Sequence, residues 1–237
     1  LQRVVEIAEK HGFSTLMWSD MFFRLVRNGV YYADGGAVPD ASVMDKVPSQ
    51  VGMVYWDYYS KDSKRYDEMV LAHKQFRNEM WFAGGLWTWG GFVPKNGFSQ
   101  DCIDALVPVM EKHEVSNIFF TMWGDDGKEC SLFAVLPSLY YAAQKLKGVT
   151  DLEQIKAGFA DTFGISFDDF MLLDLPDRID GNKAFVSNSH PDNGTKDCYY
   201  LIEGDVIWHY TAKQAGVWTR KQVTNTEHVT MLESILT

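Results

Sequence analysis

Four short apolar runs, each followed by a segment of helical period, constrain this chain more than any other feature of its 237 residues. Residues 13–23 (FSTLMWSDMFF), 51–59 (VGMVYWDYY), 80–92 (MWFAGGLWTWGGF) and 117–127 (NIFFTMWGDDG) read as strands. Helices are expected over residues 1–11, 62–76, 99–115 (capped by Ser99) and 131–148, the last ending at Gly148. Strands that alternate with helices pair in parallel, because a parallel pair needs a long crossover between its strands. The near-continuous apolarity of the runs fits strands covered on both faces.

Four strand–helix units in the first 148 residues amount to half of a (β/α)8 barrel, a fold of about 250 residues. An open doubly wound sheet is the alternative, but no strand is followed by a glycine-rich phosphate turn. The fold class expected is therefore α/β, with residues 1–148 forming strands 5–8 of a TIM barrel. Residues 149–237 are expected to form a mainly helical C-terminal region. Within it, 150–164 (TDLEQIKAGFADTFG) reads as a helix capped by Thr or Asp. Residues 166–177 read as a second helical piece, stopped before Pro176. The chain opens inside an amphipathic helix, so a piece of a longer protein is expected.

A net charge of −10 disfavours nucleic acid and anionic membrane as partners. No apolar run approaches the ~20 residues of a membrane span. Three cysteines at unrelated spacings suggest neither a disulfide framework nor a zinc site, and free thiols point to a cytoplasmic setting. No cofactor and no metal site are expected; Asp125, Asp126 and Glu129 offer fewer oxygen ligands than calcium usually takes.

Every expected strand ends in tryptophan, and three add an acid: Trp18-Ser19-Asp20, Trp56-Asp57-Tyr58, Trp87-Thr88-Trp89 and Trp123-Gly124-Asp125-Asp126. In a parallel α/β fold, ligands bind at the carboxyl ends of the strands. Alternation places Trp18 with Asp20, Tyr55 with Asp57, Trp87 with Trp89 and Trp123 with Asp125 on common faces. Flat rings interleaved with carboxylates suit a sugar, which offers C–H groups to a ring and hydroxyls to an acid. Packing in the core is the competing explanation for each tryptophan taken alone. Asp125 and Asp126 are adjacent, so on an extended strand they point apart and do not flank one glycosidic bond.

The motifs LMWSDMFFR, VYWDYY, FAGGLWTWGGFVP and FFTMWGDDGKECS together resemble the second half of the barrel of glycoside hydrolase family 20, the β-N-acetylhexosaminidases. The likeness is to the bacterial N-acetyl-β-D-glucosaminidase branch, and it covers residues 1–148 strongly and the remainder loosely. It implies substrate-assisted, retaining removal of terminal β-linked N-acetylglucosamine or N-acetylgalactosamine. It also implies that the catalytic Asp-Glu pair lies upstream of this chain, whose single Asp-Glu dipeptide, Asp67-Glu68, sits within an expected helix. The substrate-binding residues implied are Trp18, Asp20, Tyr55, Trp56, Asp57, Tyr58, Trp87, Trp89, Trp123, Asp125 and Asp126. Trp123 and Asp125 match the family's Trp-Gly-Glu with a shorter acid. Tyr55 and Asp57 match a Tyr-x-Asp pair, with Trp56 as pocket wall and Tyr58 as acetamido donor the other assignment. The partners implied are a carbohydrate with a terminal N-acetylhexosamine and, through open sheet edges, a second copy or the missing half of the barrel. A non-catalytic carbohydrate-binding module and a different sugar-processing TIM-barrel enzyme are the alternatives.

Overall fold

Parallel pairing is visible directly in the register of the strands. A computed structural model describes residues 1–32, 38–89, 93–124 and 130–177, together with Glu233. Strand β1 (Leu16–Trp18) pairs in parallel with β2 (Gly52–Trp56), setting Leu16 beside Gly52 and Trp18 beside Val54. Strand β2 pairs in parallel with β3 (Met80–Gly85), setting Val54 beside Trp81 and Trp56 beside Ala83. Strand β4 (Ile118–Thr121) completes the order β1-β2-β3-β4, and the Phe82 amide donates to Asn117 O at 2.8 Å.

The chain divides into two compact units, one of residues 1–84 and 104–121, the other of 85–103 and 122–237. In the first unit, helices α1 (Gln2–Lys10), α2 (Asp20–Val26), α3 (Ala41–Met44) and α4 (Ser63–His73) accompany the sheet. Helix α5 (Asn96–Lys112) contributes its C-terminal half to this unit. Alternation along the strands sends Met53, Tyr55, Phe82, Ile118 and Phe120 into one core with Tyr66, Met69, Val70, Leu106 and Met110 of the helices. The opposite sheet face carries Leu16, Trp18, Trp81 and Phe119, none of them fully covered. On it the rings of Trp18 and Phe119, from the first and fourth strands, lie 6.2 Å apart, and those of Trp81 and Phe119 6.3 Å apart. In a flat sheet the backbones of the first and fourth strands would stand about 14 Å apart. Aromatic side chains of the first and fourth strands therefore meet across this face.

The strand ends depart from the pattern read in the sequence. The run 13–23 yields a strand of only three residues, because Ser19 leaves the extended conformation and Asp20 opens α2. An acid in the first turn and an Asp20–Arg24 ion pair at 3.0 Å favour the helix. Strand β3 stops at Gly85, and Leu86–Trp89 continue without regular structure. Helix α5 begins at Asn96, three residues before the expected Ser99 cap. Its first amides are satisfied from afar: Asp174 accepts from Asn96 N at 3.0 Å and from Gly97 N at 2.8 Å. Ser99 instead accepts from Trp87 N and donates to Lys95 O.

In the second unit, a 3-10 turn (Leu132–Val135) leads into α6 (Leu136–Leu146), and Gly148 follows at φ +82°. Helix α7 (Leu152–Phe163) starts at the Asp151 cap, which accepts from Glu153 N. Phe159 of α7 packs against Tyr140, Phe163, Phe167 and Phe170. Helix α8 (Phe167–Met171) tightens into a 3-10 helix (Leu172–Asp177) that includes Pro176 rather than stopping before it. The buried Asp174 anchors that segment to the start of α5. The expected helices beyond residue 177 lie outside the described residues. No helix among the described residues is long and apolar enough to cross a membrane.

Close packing makes Gly84 a sensitive position. A Cβ there would approach Phe120 Cε1 to 2.6 Å and Phe82 Cε1 to 3.3 Å. Gly84→Ala should therefore destabilise the fold by about 1–3 kcal/mol, as overpacking usually does. Urea unfolding followed by tryptophan fluorescence checks this, and an unchanged midpoint would show that Phe120 is free to move aside.

Candidate functional site

The loop leaving β2 is built around one carboxylate. Asp57 is 1% exposed and points to the same side as Tyr55, whose hydroxyl donates to Asp57 Oδ2 at 3.2 Å. Asp57 Oδ1 accepts from Tyr59 N at 2.9 Å and from Ser60 N at 3.0 Å, turning the chain toward α4. The Asp57 amide continues the sheet by donating to Ala83 O. Burial lifts the Asp57 carboxyl to about 6, although the two amides, the positive charge of Arg65 and the Tyr55 hydroxyl all favour its ionised form. Tyr55 is fully buried and stacks on His73 with centroids 4.8 Å apart.

Trp56 points the other way, into a cluster of rings. Its centroid lies 5.0 Å from Tyr31, 5.9 Å from Tyr32, 5.2 Å from Tyr58 and 6.4 Å from Tyr59. Two hydrogen bonds fix the cluster: Tyr32 donates to Trp56 O at 2.9 Å, and Trp56 N donates to Tyr31 Oη at 3.4 Å. Trp56, Tyr32 and Tyr59 are half-buried, so the cluster has solvent-facing rings. The Arg65 guanidinium stands 5.6 Å from the Tyr32 centroid. Neither Tyr31 nor Tyr32, nor Arg65, stands out in the sequence. The Tyr-Tyr pair before a glycine-rich loop was the one available signal.

At the end of β1, Trp18 joins the face that carries Phe119 while Ser19 turns inward. Ser19 Oγ lies 2.6 Å from His73 Nε2 and 2.7 Å from Val54 O, and His73 Nδ1 lies 2.6 Å from Met69 O. Because Met69 O only accepts, Nδ1 carries the hydrogen and Nε2 accepts from Ser19 in the neutral ring. Burial holds the His73 imidazole down to about 3, which keeps it neutral. Asp20 does not share the face of Trp18, since the helix begins there and its carboxylate pairs with Arg24.

In the second unit, Trp87 and Trp89 stack with centroids 4.2 Å apart and are both buried. Trp123 is 40% exposed, and its carbonyl accepts from Thr88 Oγ1 at 2.7 Å. Asp125, Asp126 and Glu129 lie outside the described residues. Among the described residues no group of three or more His, Cys, Asp or Glu side chains is placed to hold a metal. An open apolar hollow of about 630 Å3 in the first unit is lined by Met17, Met21, Phe22, Leu25 and Val47, with no acid among its lining residues. Compared with models of known protein families and with curated protein sequences, the chain has no significant match.

The two buried titratable groups give opposite pH dependences. The folded-state value of Asp57 lies above its ordinary 3.8, so its contribution to stability is full below pH 3.8 and is lost as pH rises through about 6. That loss is on the order of 3 kcal/mol. Asp57→Asn should remove it while Asn Oδ1 keeps both amide bonds. The difference in melting temperature between variant and wild type should grow in favour of the variant from pH 4 to pH 6.5. A constant difference would mean that the charge on Asp57 does not matter.

Ser19→Ala strands a buried acceptor on His73 and should cost about 1–3 kcal/mol. Chemical denaturation measures it, and a cost below ~0.5 kcal/mol would place the Ser19 hydrogen on Val54 O instead.

Proposed function

We propose that this chain supplies the sugar-binding wall of a glycoside hydrolase that removes terminal β-linked N-acetylhexosamine. On this reading residues 1–148 are the second half of a (β/α)8 barrel, and the four-stranded parallel sheet in sequential order supports it. The observation that carries the proposal is the ring cluster around Trp56, in which Trp56, Tyr32 and Tyr59 keep partial exposure, held at the carboxyl end of β2 beside the loop that leads to α4. Such rings accept the C–H face of a pyranose, and tyrosine hydroxyls at their edge offer polar partners for its hydroxyl and acetamido groups.

The reaction proposed is substrate-assisted. The 2-acetamido oxygen attacks the anomeric carbon as an acid protonates the leaving oxygen, and water then opens the cyclic intermediate. The acid and the orienting aspartate would come from outside this chain. Asp57 is unsuited to the acid's role, because both its oxygens are engaged by Tyr55, Tyr59 and Ser60 and it is almost fully covered. The same burial favours a second reading, a carbohydrate-binding module without catalysis.

Titrating the chain with N-acetylglucosamine while following tryptophan fluorescence tests both readings. Saturable quenching is expected, and Trp56→Ala should weaken binding about ten-fold or more, the equivalent of ~1.4 kcal/mol. The chain alone should release no aryl group from an aryl N-acetyl-β-glucosaminide. Absence of any saturable response would defeat the carbohydrate proposal, and measurable hydrolysis would place the acid within this chain.

A further inference from the structure

The cations of the first unit differ in how they are satisfied. Arg24 bonds Asp20 and Gly29 O, Arg27 bonds Tyr31 O, and Lys112 bonds Asp67. Arg65, on the first turn of α4, is half-buried, and its guanidinium makes no hydrogen bond or ion pair with any described residue. Its Nε is shielded from solvent without a partner. The Tyr32 ring, 5.6 Å away, is what it faces. The nearby Asp57 carboxylate attracts it but is committed to the Tyr59 and Ser60 amides and the Tyr55 hydroxyl. A guanidinium carries five donors, and here the one shielded from solvent, Nε–H, has no partner among the described residues, a need that an acceptor arriving from outside would fill.

We propose that Arg65 is an anion-recognition residue at the edge of the aromatic wall, selecting carbohydrates that carry a sulfate, phosphate or carboxylate substituent. The planar guanidinium fork matches these groups bidentately, as an ammonium does not. Tyr32 links Arg65 to the rings that would hold the sugar, since its own ring meets Trp56 edge-on at 5.9 Å. The net charge of −10 repels extended polyanions, so the anion belongs on a small or otherwise neutral ligand. This inference rests on the carbohydrate reading above and narrows its substrate class.

The test is calorimetric titration of the chain, wild type and Arg65→Gln, with N-acetylglucosamine, its 6-sulfate, its 6-phosphate, glucuronic acid and inorganic sulfate. At least one anionic sugar should bind about ten-fold or more tightly than N-acetylglucosamine, as expected for a charge-assisted hydrogen bond. Arg65→Gln should abolish that preference and leave the neutral sugar unaffected, and Arg65→Lys should restore only part of it. Equal affinity for neutral and anionic sugars overturns the role of Arg65 while leaving carbohydrate binding intact. Failure of every sugar to bind overturns the carbohydrate reading and this inference with it. Inorganic sulfate binding as tightly as the sulfated sugar would reveal a lone ion site and overturn it too. Should Arg65→Gln fail to fold by circular dichroism, salt decides on the wild type: the preference must shrink as ionic strength rises, and a salt-independent preference overturns the proposal.

Discussion

Because β1, β2 and β3 run the same way in a fixed register, the chain leaves each of them on the same side of the sheet. The geometry of those exits decides which side chains can act together. Val54 illustrates the dependence. Its carbonyl accepts from the Ser19 amide at 3.0 Å and lies 2.7 Å from the Ser19 hydroxyl oxygen, so the end of β1 is tied to the middle of β2. The same strand then ends at Trp56 and Asp57, where the backbone bonds pass to Ala83 of β3. Moving β2 by a residue would send Trp56 to the helix-covered face and bring Tyr55 out.

Two buried groups hold this edge from behind, and burial acts on them in opposite senses. His73 is kept neutral and receives a hydrogen bond, while Asp57 is costly when ionised but collects three donors. Tyr55 joins them, stacking on the imidazole and donating to the carboxylate. The residues that face outward from this edge, Trp56, Tyr32 and Tyr59, thus rest on a polar layer that the core encloses.

Much of the fold was legible in the sequence. The alternation of apolar runs with helix-period segments led directly to a parallel sheet, and Asp151 and Gly148 marked real helix boundaries. What was misread involved partners distant in sequence. Ser99 looked like a cap, but the amides of α5 are capped by Asp174, 78 residues further on. The aromatic run through Phe23 looked like strand until the Asp20–Arg24 pair and the buried Phe23 made it helix. Of the candidate site, the approach of Tyr55 to Asp57 followed from alternation, whereas Trp87 and Trp89 stack beyond the end of β3, in a stretch without regular structure. Nothing local distinguished Arg65 or His73, whose roles arise from what the fold sets around them.

The Asp57 turn has a consequence for how the wall would receive a guest. A loop that must order itself on binding loses conformational entropy at that moment, and affinity falls accordingly. Here the Tyr59 and Ser60 amides are already gathered onto one carboxylate, and the Tyr66 hydroxyl fastens Ser60 O at 2.9 Å. The freezing of that backbone took place when the protein folded. A ring docking on Trp56 meets a surface already at rest, and the entropy lost in the encounter is chiefly the guest's own.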